Sequence, residues 1–137
     1  MRRLLLLSFV SLAGCAAATD LMNAAVDAAG AAQTANTPAV AASWETAVTE
    51  YRDRVGARVA FDCPAGGSEY TIWGTDVYSD DSSVCTAGVH MGLISFARGG
   101  RVVLQIKSGQ SSYSGTTRNG VQSEPYGAWE GSFSFVR

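Results

Sequence analysis

Four side chains in this sequence of 137 residues belong to types that do chemistry at defined spacings: Cys15, Cys63, Cys85 and the single histidine, His90. A histidine serves as a general base only when its nucleophile stands about 3 Å away. Ser83 precedes His90 by seven positions and Asp81 by nine. On a helix rising about 1.5 Å per residue, Ser83 and His90 share a face but lie roughly 10 Å apart. A dyad would need a serine from elsewhere in the chain. Flanked by Gly88 and Gly92 in an apolar stretch, His90 reads instead as a core residue with both ring nitrogens satisfied. Asp76, Asp80 and Asp81 are the remaining cluster of ligand-type residues. Their spacing is not that of an EF-hand loop, and helix capping accounts for part of it. No catalysis, metal or cofactor is expected.

Cys15 has a different chemistry. Met1-Arg2-Arg3 is a short basic start, and residues 4–12 are apolar except for Ser8 and Ser11. A membrane-crossing helix takes about 20 apolar residues, so this run has the length of a signal-peptide core instead. It ends in Leu12-Ala13-Gly14-Cys15, the pattern of a bacterial lipobox. Small residues flank the scissile bond there, and the free thiol takes a diacylglycerol thioether. Each buried CH₂ of the acyl chains adds about 0.8 kcal/mol of membrane affinity. The alternative is ordinary secretion with cleavage after Ala18. Ala16 rather than an aspartate after the cysteine favours the outer membrane.

Loss of the leader removes Arg2 and Arg3 from the ten basic residues and none of the twelve acidic ones, leaving a net charge of −4. A small acidic protein is not a nucleic-acid binder on bulk charge. If lipid occupies Cys15, then Cys63 and Cys85 remain as an even pair, 22 positions apart. In an oxidising compartment they are expected as a disulfide contributing about 3 kcal/mol. The rival, a two-cysteine metal site, lacks the usual CxxC or His spacings.

Four segments follow from the patterning: a leader at 1–14, an alanine-rich disordered tether at 15–42, a short amphipathic helix at 43–56 and a folded domain at 57–137. In the helix, Trp44, Val48, Tyr51 and Val55 recur at spacings of four, three and four behind a Ser43 cap. The stripe is expected to dock on the domain. Residues 59–61 and 70–73 are strand-like around the turn Pro64-Ala65-Gly66-Gly67. Asp80, Asp81 and Ser82 offer a helix start, and residues 83–93 are apolar all round, as in a buried helix. Val102, Leu104 and Ile106 then alternate with Arg101, Gln105 and Lys107, a half-buried strand. Residues 108–120 read as loops, and Phe133 and Phe135 share one face of a last strand. The expected class is α+β, one central helix wrapped by antiparallel strands.

Two surface features are candidates for binding. Between Ser82 and Ser123 there is no Asp or Glu, yet Arg98, Arg101, Lys107 and Arg118 fall there. Convergence of these four would make a patch for an anionic ligand such as lipopolysaccharide or an acidic glycan; the alternative is four cations scattered over a solvated surface. Trp73, Trp129, Tyr113 and Tyr126 are stacking candidates for a sugar. The two tryptophans are expected in the core with His90, and the two tyrosines on the surface.

The run Cys63-Pro64, Trp73-Gly74-Thr75-Asp76-Val77-Tyr78 and Asp81-Ser82-Ser83-Val84-Cys85-Thr86-Ala87-Gly88-Val89-His90-Met91-Gly92 resembles the LCCL domain family. The likeness continues through Gly99-Gly100, Gly109 to Tyr113, Arg118 to Val121 and Trp129 to Phe135, covering about residues 55–137. It implies a central helix wrapped by strands, a disulfide from the Cys63-Pro64 turn to the helix at Cys85, and no known catalysis. Animal members usually carry four cysteines, so the second bridge is absent here. The expected function is a non-catalytic, membrane-tethered envelope module that binds a glycan, lipid or protein. The alternative is a scaffolding lipoprotein that meets an envelope complex through the 43–56 stripe.

Overall fold

The computed structural model describes residues 37–137. The leader, the lipobox Cys15 and residues 15–36 of the expected tether lie outside the described residues. The strands are β1 (Ala39–Ala41), β2 (Arg58–Cys63), β3 (Gly74–Thr75), β4 (Val77–Ser79), β5 (Gly100–Gln110), β6 (Thr117–Arg118), β7 (Val121–Gln122) and β8 (Trp129–Phe135). The helix α1 spans Val84–His90. Six strands form one sheet in the order β1-β2-β5-β8-β4-β3, while β6 and β7 pair separately. Every pairing is antiparallel except that of β1 with β2. The class is α+β, as expected.

Strand alternation builds the inner face. Val59 faces Leu104, Phe61 faces Val102, and Ile106 faces Phe133, which in turn faces Tyr78. All seven are buried and cover the sheet side that receives α1. Close packing there depends on Gly88, where a Cβ would stand 3.1 Å from Val102 Cγ1. Arg101, Gln105 and Lys107 alternate with these residues and project from the opposite face.

The helix is shorter than the pattern suggested, ending at His90 rather than near Leu93. Its first turn is capped by Ser83, whose hydroxyl accepts from the Thr86 amide at 3.1 Å. Its last turn closes when the Leu93 amide donates to Gly88 O and the Gly92 amide to Val89 O. Gly92 takes the left-handed conformation (φ 76°) that this Schellman closure requires. All seven helical residues are buried. The Cys63–Cys85 disulfide joins its first turn to the end of β2, with the two Cα atoms 5.8 Å apart.

Two expected elements take other forms. The segment 43–56 holds only a 3-10 turn at Thr49–Tyr51, and the chain before it already contributes β1 to the sheet. The domain therefore begins upstream of residue 57. Three of the four stripe residues dock: Trp44 and Val48 are buried and Tyr51 packs edge-on against Phe61, whereas Val55 is left 60% exposed. Their backbone, however, is tied to other elements. Val48 N donates to Asp80 O, Trp44 O accepts from the Ser83 hydroxyl, and Thr46 O accepts from Val84 N. A helix this short is marginal alone, and the β-branched Thr46, Val48 and Thr49 weaken it further. Residues 70–73 likewise form no strand beyond a single bridge from Trp73 to Glu124. Their amides and carbonyls are met by the Thr86 hydroxyl, Ser83 N, Glu124 N and the Ser82 hydroxyl.

Two buried polar groups pin these layers. Asp80 is fully buried and does not cap the helix. Arg52 donates to its two oxygens at 2.7 and 2.9 Å, and the Trp129 indole donates to Oδ1 at 2.8 Å. Gly131 must lack a side chain here, because a Cβ would overlap the Asp80 carboxylate. His90, also fully buried, receives the Tyr78 hydroxyl at Nδ1 (2.7 Å), and its Nε2 lies 3.2 Å from Thr116 O. The Asn119 side chain donates to His90 O at 2.9 Å. Asn119 and Gly120 both have positive φ, the signature of a tight two-residue hairpin, so the β6–β7 turn is fastened to the helix end.

Three outcomes follow for stability. Reduction of the disulfide, or Cys63→Ala with Cys85→Ala, is expected to remove about 3 kcal/mol; an unchanged urea midpoint would contradict this. Asp80→Asn, which keeps shape and removes charge, is expected to destabilise by about 3 kcal/mol because Arg52 loses its counter-charge. Acid should act in two stages. Desolvation holds the His90 pKa below 6.5, so as pH falls past that value the unfolded chain gains a proton the folded one refuses, and stability declines. Burial pushes the Asp80 carboxyl up, but the Arg52 and Trp129 hydrogen bonds outweigh it and hold it below 3.8. Its contribution is present above about pH 4 and is lost as pH falls through the folded value. Melting temperatures of His90→Gln should lack the stage that begins near pH 6.5 and keep the acidic one.

Candidate binding site

The buried histidine is neutral, but both of its ring nitrogens are already engaged. Tyr78 is held protonated, since burial pushes its pKa well above the usual phenol value and outweighs the opposing hydrogen bond from the Asp76 backbone. The phenol therefore donates to Nδ1, which leaves the proton of neutral His90 on Nε2, directed at Thr116 O. The Thr116 hydroxyl, also 3.2 Å from Nε2, meets an N–H and not a lone pair. The acidic residues are likewise engaged. Asp76 accepts from Arg118 at 2.7 Å, Asp80 is held by Arg52 and Trp129, and Asp81 accepts from the Ser79 hydroxyl. Among the described residues no group of three or more His, Cys, Asp or Glu side chains is placed to hold a metal ion.

The four basic residues of the sequence pattern do not converge. Arg101 and Lys107 lie on the outer sheet face, six residues and so roughly 20 Å apart along β5. Arg98 sits in the turn before that strand, at the Arg101 end. Arg118 is on the β6–β7 hairpin, in the helix layer on the other side of the sheet. Arg101 and Arg118 each face a carboxylate, Asp62 at 3.2 Å and Asp76 at 2.7 Å.

An aromatic strip forms instead, from residues distant in sequence. Tyr126 stands edge-on between Trp73 and Trp129, with ring centroids 6.4 and 5.8 Å away. Tyr126 is 48% exposed, and both tryptophans are half-buried rather than core residues, contrary to expectation. Tyr113 is the reverse: expected on the surface, it is buried beneath the loop. Its hydroxyl accepts from Gln110 N and donates to Gly131 O, and its backbone pairs with that of Tyr126. Trp129 is fixed by its bond to Asp80 and by the Arg52 guanidinium 5.5 Å from its ring centroid.

One shallow groove includes Trp129, and a second is linked to Trp73 through its bridge partner Glu124. One, of about 530 Å³, is lined by Gly109, Gln110, Ala128, Trp129 and Glu130. The other, of about 440 Å³, is lined by Glu69, Tyr70, Thr71, Gln122 and Glu124, and Glu124 is the bridge partner of Trp73. The Tyr70 phenol, held to the Glu45 carboxylate, has a raised pKa and stays neutral. No lysine or arginine lines either groove. Arg52, the nearest cation on the strip, is committed to Asp80 and Glu130. The arrangement offers flat apolar rings, amides, hydroxyls and carboxylates. Gln110, Gln122, Glu124 and Arg52 carry no distinguishing sequence signal. They become site residues only through contact across the fold.

A family model described as the LCCL domain matches residues 33–133. Vitrin of Homo sapiens is 45% identical over 73 residues, covering 52% of this chain and 11% of vitrin. Cochlin of Cavia porcellus is 39% identical over 77 residues, covering 55% of this chain and 14% of cochlin. Clotting factor C of Tachypleus tridentatus is 36% identical over 93 residues, covering 66% of this chain and 9% of that protein. The chain thus spans about a tenth of the length of these curated relatives. The match extends upstream of residue 57, as the place of β1 in the sheet requires. With most of its length matched by the family model, and with the disulfide, buried helix and enclosing strands in place, this chain belongs to the LCCL domain family.

Proposed function

We propose that this protein is an exported, non-catalytic recognition module, held at the outer membrane by lipid on Cys15 and presenting the Trp73–Tyr126–Trp129 strip to an envelope ligand. The observation that carries the reading is the exposed Tyr126 between two half-buried tryptophans, of which Trp129 is held by Asp80 and Arg52 and lines a groove. Monomeric proteins rarely leave large aromatic groups together at the surface without a partner. Arg98, Arg101, Lys107 and Arg118 are separated and partly neutralised, which weighs against an anionic patch as the main contact. The scaffolding alternative also loses support, because Trp44, Val48 and Tyr51 pack within the domain.

Mass spectrometry of the mature protein is expected to find Cys15 diacylglycerol-modified. An unmodified thiol there would remove the tether. In pull-downs with isolated cell envelopes, Tyr126→Ala is expected to weaken binding about tenfold with an unchanged melting temperature. Charge reversal at Arg101 and Lys107 should leave binding intact. The opposite pattern would move the contact surface to the outer sheet face.

A further inference from the structure

We infer that the ligand is an extended, uncharged saccharide chain lying along the strip, with one part in the Trp129 groove and another in the Tyr70–Gln122 groove; this inference rests on the recognition reading above. Shape is the first argument. One groove is lined by Trp129 and the other by Glu124, the bridge partner of Trp73, and Tyr126 touches both tryptophans, so a ligand filling both grooves is long and passes Tyr126. A compact ligand would leave one groove empty.

Charge decides the class. Phosphate, sulfate and carboxylate groups are recognised by arginine or lysine forks, and neither groove contains one. Arg52 cannot substitute, because its guanidinium donates to both Asp80 oxygens and to Glu130. The carboxylates of Glu69, Glu124 and Glu130 instead repel anions and accept hydrogen bonds from hydroxyls. Gln110 and Gln122, one in each groove, supply donor and acceptor together, as a ring hydroxyl requires.

The rings supply the remaining element. A sugar ring has an apolar C–H face that matches the negative π face of an aromatic side chain and a polar rim that matches the amides and carboxylates. The guanidinium on Trp129 and the hydrogen bond from its indole to Asp80 hold that ring before ligand arrives, which lowers the entropy lost on binding. A protein ligand would call for a desolvated apolar patch. Here the rings form a narrow strip flanked by polar groove walls.

The test is titration of the full chain, followed by tryptophan fluorescence, with β-1,4-linked glucose and N-acetylglucosamine oligomers from dimer to hexamer. Lipid A vesicles and a sulfated glycan serve as anionic comparators. Affinity is expected to rise with oligomer length, and Tyr126→Ala to weaken hexamer binding about tenfold. Gln122→Ala should abolish the gain in affinity from dimer to hexamer. Melting temperatures establish that both variants fold, and Trp73→Phe provides a milder change in the strip. Binding confined to the anionic probes, or affinity independent of length, overturns the inference. If envelopes bind through Tyr126 but no neutral oligomer does, the saccharide assignment falls and the recognition reading stands. If no envelope fraction binds, the recognition reading itself falls.

Discussion

A carboxylate taken fully out of water is tolerated only if donors surround it, and the arrangement of this domain turns on how that condition is met at Asp80. Arg52 comes from the segment that crosses the sheet before β2, and Trp129 from the first residue of β8. Asp80 itself follows β4, and its backbone bonds to Val48 and Gly131. Three stretches of chain are thereby brought to one point. Moving any of them away would leave an unpaired charge inside the protein, so the carboxylate acts less as a source of net stability than as a demand for one packing.

The same contacts shape the surface above them. Because Asp80 holds both Arg52 and the Trp129 indole, the ring is fixed, and the cation beside it is unavailable to an anion. A basic residue beside an aromatic strip would ordinarily point to phosphate or sulfate recognition. Its internal commitment reverses that expectation and leaves a face of rings, amides and carboxylates. Structural necessity and the chemistry of this face are therefore set by one cluster.

The helix depends on a comparable set of pins. Two turns alone have little stability, so α1 exists because its surroundings hold it: Ser83 at the start, the disulfide at Cys85, Gly92 at the end and His90 at its last residue. His90 links three elements through Tyr78, Thr116 and Asn119, and in doing so both of its ring nitrogens are taken up by the fold. The lone histidine, the obvious suspect for catalysis, is an organiser of the core.

Features that depend on neighbours in sequence were legible from the sequence alone. Alternation in 101–107 determined the half-buried strand, the all-round apolar run after Ser83 determined a buried helix, and the spare pair of cysteines determined the bridge. The LCCL likeness was readable for the same reason, since its Ser-Ser-x-Cys-x-x-x-x-His-x-Gly core is contiguous. Tertiary structure decided the rest: that 43–56 docks without becoming a helix, that 70–73 bonds to a helix cap rather than a strand, that the basic residues stay apart and that Trp73, Tyr126 and Trp129 meet. In each case the deciding partner is remote, as with Arg52 and Trp129, which reach Asp80 across 28 and 49 positions. Periodicity and composition record what a segment prefers for itself. They do not record which distant donor will arrive to satisfy a buried charge or backbone group, and here those donors chose the local structure and the groups left at the surface.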